Sequence, residues 1–153
     1  MIEQDDLRSV TLERRLIGGL IKYPKVYSSY EIFGFLNKDD FTAGHQTLFD
    51  IYKNQINNGK SVDSVVIAHE VQNLGINLNG KTTEDIFNYL NNISFKDINE
   101  ETLVETAIEL KKLTICRELC QTCDSIKQKI KENKGKSADE IISISDRAYH
   151  RKI

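Results

Sequence analysis

The chain has 153 residues, of which 39% are hydrophobic and 29% charged, so a compact core is expected and a disordered chain is excluded. The formal net charge of −2 argues against strong nucleic-acid binding by this chain alone, because gripping phosphates requires a basic excess. No apolar run approaches the roughly 20 residues that cross a bilayer, no secretory signal opens the chain, and three cysteines do not suggest a disulfide framework. We therefore expect a cytoplasmic protein with no membrane segment and with protein partners.

Apolar residues recur every three or four positions along most of the chain, which predicts an all-α fold. The leucine spacing predicts a first helix from about Thr11 to Lys22, which Pro24 ends. A second helix is predicted from Val26 to Leu36. Three more helices are marked by one-sided apolar residues: Leu48, Tyr52 and Ile56 in the third, Val66, Val71 and Leu74 in the fourth, and Ile86, Leu90 and Ile93 in the fifth.

The segment from Asn99 to Lys134 contains neither proline nor glycine and predicts one helix of about 34 residues, roughly 50 Å long. Its apolar or small residues follow one another at steps of three or four, which predicts a single packed stripe. The stripe consists of Leu103, Ala107, Leu110, Leu113, Cys116, Cys120, Cys123, Ile126 and Ile130.

A second helix is predicted to fold back on the long one. Gly135 ends the long helix, and Ser137 with Glu140 forms an S-x-x-E capping pattern before Ile141, Ile144 and Ala148. Residues 1–98 are therefore expected to form a globular helical bundle, and residues 99–150 an antiparallel helical hairpin. The hairpin stripe extends beyond a small bundle, so self-association is expected through Leu119, Cys123, Ile126, Ile130, Ile141 and Ile144.

Two short motifs suggest cofactor chemistry that their context does not support. Gly59-Lys60-Ser61 resembles the end of a phosphate-binding loop, but the required earlier glycine is Asn54 and the preceding element is a predicted helix. The C-x-x-x-C-x-x-C spacing of Cys116 to Cys123 suggests an iron–sulfur or zinc site. These cysteines lie inside a strongly periodic helix, so we expect unligated thiols that pack as small hydrophobic side chains.

Other polar residues do not form a recognisable catalytic set. The histidines are scattered without metal-ligand spacing, and His45 is expected to form a local hydrogen bond. The lysine run from Lys127 to Lys136 is expected to be a solvated helix end that complements the helix dipole. We therefore expect no ATPase, helicase or nuclease activity and no cofactor in this chain, with weak or no direct DNA binding.

Several short segments follow one another along the chain, and they contain Gly18, Gly19, Phe41, His45, Phe49, Asp63, Tyr89, Leu90 and Arg117. In order and spacing these segments resemble the N-terminal domain of DnaB-type replicative DNA helicases. The resemblance covers nearly the whole chain from Leu12 onward. Thr82 to Asp85 stand where that family often has a Gly-Gly step, and no tyrosine lies near Thr106, which bears on partner specificity more than on fold.

The resemblance implies a collar domain in which hairpins pair into dimers and three dimers form a hexameric ring. In that family the collar helps to receive primase and helicase loader proteins above motor domains that use ATP and magnesium. The motor is absent from this chain, so the parent protein is expected to be an ATP-dependent DNA helicase, with residues 151–153 beginning the linker. The alternative is a complete, stand-alone collar-like protein that regulates a helicase or primase. The DNA after the Ile153 codon would discriminate between the two.

Overall fold

The computed structural model describes residues 7–94 and 97–152. Within these residues the secondary structure is helical and contains no strand, so the predicted all-α class is confirmed. A short 3₁₀ helix spans Lys38–Asp40. The α-helices are α1 (Val10–Lys22), α2 (Val26–Ser29), α3 (Glu31–Gly34), α4 (Ala43–Asn57), α5 (Ser64–Asn73), α6 (Thr83–Ser94), α7 (Glu100–Glu132) and α8 (Ala138–Lys152).

Side chains that accept hydrogen bonds from free backbone N–H groups fix the starts of several helices. The Ser9 hydroxyl accepts from the N–H of Leu12 at 3.2 Å, and the Asp63 carboxylate accepts from the N–H of Val66 at 2.9 Å. At the start of α6, Thr82 and Asp85 exchange hydrogen bonds of 3.0 and 3.1 Å as a reciprocal capping box. Thr82 to Asp85, which stand where the family often has a Gly-Gly step, therefore form the start of α6.

The second predicted helix is wrong as a single element. Tyr30 has extended backbone angles (φ −134°, ψ 132°) and separates α2 from α3. Tyr27 and Phe33 are both buried, and their ring centroids lie 6.3 Å apart. Six residues of continuous helix would place these two rings on different faces, so the break brings both into the core.

Residues Arg8–Lys112 form one compact unit, a helical bundle with a single hydrophobic core. Gly18 is required where α1 passes α6, because a Cβ atom there would lie 2.3 Å from the carbonyl oxygen of Ile93. Phe41 and Phe49 are fully buried and stack with centroids 4.5 Å apart. The largest fully buried side chains include Tyr52, Phe33, Phe41, Phe49, Leu16, Ile17, Leu20, Leu36, Ile67, Leu90, Leu103 and Leu110.

Of the described residues, the other unit comprises Leu7 and the chain from Leu113 to Lys152. The distal part of α7 ends at Glu132, and α8 begins at Ala138 after a short turn closed by a hydrogen bond from Lys136 N–H to the Asn133 carbonyl. Residues of both helices line one cleft, so α8 runs back along α7 as a hairpin. The predicted linker start is helical through Lys152, and Ile153 lies outside the described residues.

The boundary between the two units falls inside α7, between Lys112 and Leu113, rather than between residues 98 and 99. This boundary lies inside α7 because the first turns of the helix pack into the bundle. Leu103, Ala107 and Leu110 are buried in the bundle core, so these turns belong to the bundle.

The distal half of the predicted stripe does not form the buried face of α7. From Leu103 to Ile130 the helix makes about 7.5 turns at about 3.6 residues per turn, but the predicted stripe takes eight steps. The steps average about 3.4 residues, which is less than the roughly 3.6 residues of one turn, so the stripe moves around the helix by about half a turn over its length. Cys116 and Cys123 are accordingly exposed, which corrects the expectation that the cysteines are packed.

Candidate protein-docking surface

An exposed apolar row lies on the distal part of α7, and we call it the α7 stripe. It consists of Ile115, Leu119, Cys123 and Ile130, with Cys116 beside it. Ile115 is 48% exposed, Leu119 42% and Ile130 43%, which is unusual for large aliphatic side chains that share one helix face. The intervals of four, four and seven residues keep the row on one side of the helix.

The predicted interface residues divide into two groups. Leu119, Cys123 and Ile130 are exposed, whereas Ile126, Ile141 and Ile144 are half-buried in the hairpin. Ile144 lines the cleft between α7 and α8, together with Lys129, Asn133, Arg147 and Ala148.

The sequence-based prediction missed other exposed apolar residues in this unit. Ile115 lies four residues before Leu119 and could have been found from a strict 3.6-residue period. Ile142 is 58% exposed and Tyr149 44%, and they lie seven residues apart on one face of α8. Apolar exposure is therefore present on both helices of the hairpin.

The buried face of distal α7 is polar. Thr114, Arg117 and Thr122 are each at most 4% exposed. The Arg117 guanidinium donates to the Leu7 carbonyl at 2.6 Å and to the Thr114 hydroxyl at 2.9 Å. The Thr122 hydroxyl donates to the Glu118 carbonyl one turn earlier, at 2.9 Å. The polar groups are satisfied within the chain, and the exposed apolar side chains remain available for a protein contact.

The three cysteines are free thiols, with Cys116 and Cys123 exposed and Cys120 half-buried. Across residues 7–94 and 97–152, no cluster of three or more His, Cys, Asp or Glu side chains could hold a metal ion. Lys127, Lys131, Lys134 and Lys136 are exposed at the end of the hairpin, as expected for a solvated helix end.

His45 forms long-range hydrogen bonds rather than the predicted local one. Its Nδ1 lies 2.8 Å from Oε1 of Glu13 on α1, and its Nε2 lies 2.6 Å from the Tyr89 hydroxyl on α6. The same Glu13 oxygen accepts from the N–H and the hydroxyl of Thr42, each at 2.8 Å. We call Glu13, Thr42, His45 and Tyr89 the buried relay, and it ties α1, the start of α4 and α6 together.

Glu13 is 0% exposed, and its Oε2 has no hydrogen-bond partner. Burial by itself raises the pKa of this carboxyl, but hydrogen bonds from His45 and Thr42 outweigh burial and hold the pKa below its usual value. The sequence-based reasoning did not identify Glu13 as a buried hydrogen-bond acceptor. The available signal was an acid three residues before Leu16 and four before Ile17, on the predicted inward face of α1.

A cavity of about 370 Å³ opens beside the relay. Leu48, Leu78 and Ile86 supply apolar lining, and His45, Tyr89, Lys81 and Asp85 supply polar groups. Both ring nitrogens of His45 have partners within the relay, and Asp85 caps α6. The described residues of this cavity thus serve packing and capping, which gives the relay a structural role.

The segment that resembles a phosphate-binding loop forms a turn between helices. Gly59 has φ +70° and follows α4, which is a helix and not the strand that such a loop requires. Lys60 and Ser61 are exposed, and the Ser61 hydroxyl donates to the Asp63 carboxylate at 3.4 Å.

Comparison with known proteins shows which family this arrangement represents. The sequence profile described as "DnaB-like helicase N terminal domain" matches residues 5–107, about two thirds of the chain, so the chain belongs to this family. The crystal structure of the N-terminal domain of DnaB helicase from Mycobacterium tuberculosis is similar in fold, with a TM-score of 0.76 at 15% identity. The match covers 94% of this chain and 97% of that one. No curated protein sequence matches. None of the described helices is long and apolar enough to cross a membrane.

Proposed function

We propose that the chain is the assembly and docking domain of a hexameric replicative DNA helicase, and that the α7 stripe joins it to a second copy. Family membership supplies the helicase context. The single observation that carries the assembly role is the α7 stripe, because large aliphatic side chains on one helix face are exposed in the separate chain.

A second copy is the simplest occupant of the α7 stripe. The stripe runs from Ile115 to Ile130, about 22 Å along the helix at about 1.5 Å per residue. In a two-fold contact the same apolar surface meets itself, so complementarity needs no second kind of surface. Ile142 and Tyr149 are further exposed apolar side chains, on the other helix of the hairpin.

The test compares Leu119→Asp and Ile130→Asp with the wild-type chain by sedimentation velocity over a range of concentrations. Each copy of a variant brings one unpaired carboxylate into the contact, and burying this pair should cost about 3 kcal/mol or more, which weakens dimerisation by at least about 100-fold. Ile126 is a poorer choice, because it is half-buried and its replacement would disturb the hairpin itself.

The matched control is Leu74→Asp. Leu74 is 57% exposed at the end of α5 in the bundle, so this variant adds the same charge outside the α7 stripe. Circular dichroism should show that all three variants fold. Equal dimerisation of wild type and of both stripe variants would refute the proposed assembly surface.

Primase and a helicase loader are the partners proposed for the same end of the hairpin. Lys127, Lys131 and Glu132 are exposed near the distal end of α7, where their charged side chains would be available to a protein partner. Pull-down of the primase and loader from the organism that encodes this chain, with wild type and Leu119→Asp as baits, tests this part separately. Unchanged capture by both baits would place those partners elsewhere.

A further inference from the structure

We propose that the α7 stripe carries a thiol lock, in which Cys116 and Cys123 form disulfides between two copies when a low-molecular-weight disulfide such as oxidised glutathione is present. The inference rests on the proposed self-contact and adds its regulation. It assigns a modification site to residues that form no disulfide and no metal site within the described chain.

The two exposed thiols flank the centre of the α7 stripe. Cys116 lies three residues before Leu119, and Cys123 lies four residues after it. They are separated by nearly two turns, about 10 Å along the axis, and share one face of the helix. Cys120 is half-buried and lies toward the side of this face, so it is not expected to take part.

This placement brings a thiol to a thiol in either orientation of a two-fold pair. If two α7 helices run parallel, Cys116 faces Cys116 of the second copy. If they run antiparallel with the axis near Leu119 and Cys120, Cys116 faces Cys123 of the second copy. Packed helix axes about 8–10 Å apart bring directly facing Cα atoms to about 3.5–5.5 Å, and the wider spacings fall in the range of about 4.4–6.8 Å that a disulfide spans.

The chemistry is two successive thiol–disulfide exchanges. A protein thiolate attacks oxidised glutathione, forms a mixed disulfide and releases one glutathione. The facing thiolate of the second copy attacks the protein sulfur of that mixed disulfide and releases the second glutathione. Two protein thiols lose two electrons and two protons, and one glutathione disulfide becomes two thiols. In a reducing compartment such a bond is transient, and it would hold the contact only under oxidising conditions.

The experiment treats the reduced 153-residue chain with oxidised glutathione and follows dimer formation on non-reducing gels. The wild type and Cys120→Ser should form dimers that dithiothreitol reverses, and the double variant Cys116→Ser with Cys123→Ser should not. Leu119→Asp should slow the reaction by on the order of 100-fold, because it weakens by about that factor the contact that brings the thiols together.

Three results would overturn the thiol lock: cross-linking in the double variant, no cross-linking in the wild type, or equal rates in wild type and Leu119→Asp. Sedimentation of the reduced wild type and of the double variant separates this inference from the proposed function. If both dimerise reversibly but the wild type never cross-links, the assembly role stands and the thiol lock is wrong. If the reduced wild type does not dimerise at all, the assembly proposal itself fails.

Discussion

The buried relay gives the sharpest test of how the bundle is held together. Glu13→Ala removes the acceptor of three hydrogen bonds, two from Thr42 and one from His45. The Thr42 hydroxyl can turn to another acceptor, but its N–H and the His45 ring are held in place. Each buried donor left without a partner costs about 1–3 kcal/mol, so we expect a loss of about 3–5 kcal/mol.

Glu13→Gln is the matched control, because its side-chain oxygen can replace Oε1 at the same length. It loses the negative charge, and its amide nitrogen would take the position of Oε2, which has no partner. The expected loss is about 1–3 kcal/mol, because that buried amide nitrogen becomes a donor without a partner. Urea unfolding followed by circular dichroism measures both variants against wild type. Equal losses for alanine and glutamine, or a loss below about 1 kcal/mol for alanine, would refute this account of the relay.

The pH dependence of stability should test the role of the Glu13 carboxylate. The folded-state pKa of Glu13 lies below its ordinary value of 4.5, so ionised Glu13 stabilises the folded state above about pH 4.5. This contribution is lost as the pH falls through the lowered folded-state pKa. Glu13→Gln cannot titrate there, so the stability gap between wild type and Glu13→Gln should narrow below pH 4.5. A gap that stays constant or widens in acid would contradict the assignment.

Three further predictions use the same unfolding assay. Gly18→Ala should destabilise the bundle by about 1–3 kcal/mol or more, because the new Cβ would overlap the Ile93 carbonyl. The control is Gly44→Ala, whose Cβ meets nothing within 4 Å and which should change stability by at most about 1 kcal/mol. Tyr52→Phe should cost about 1–2 kcal/mol, because the buried hydroxyl donates to the Leu20 carbonyl at 2.7 Å near the end of α1; an unchanged unfolding midpoint would count against this. Asp63→Ala should cost about 1 kcal/mol by removing the cap of α5, and Asp63→Asn should retain most of that stability.

The sequence alone determined the helical class, most helix positions and the hairpin, because these depend on interactions between near neighbours. Helix caps join residues three positions apart, as at Ser9, Asp63 and Thr82. The turn after Glu132 follows from local residues in the same way. Apolar steps of three and four reflect the helix period directly.

The tertiary structure decided which face of each helix is covered and which distant polar groups meet. Glu13 and His45 are 32 residues apart in sequence, and His45 and Tyr89 are 44 apart, so no local pattern could pair them. The break at Tyr30 depends on aromatic rings that must reach one core. The α7 stripe emerged for a similar reason: only the packed core shows that Leu103 and Leu110 are covered in the bundle, whereas Leu119 and Ile130 are left exposed. The helix period predicts which side chains share a face, but whether that face is buried depends on the elements that pack against it.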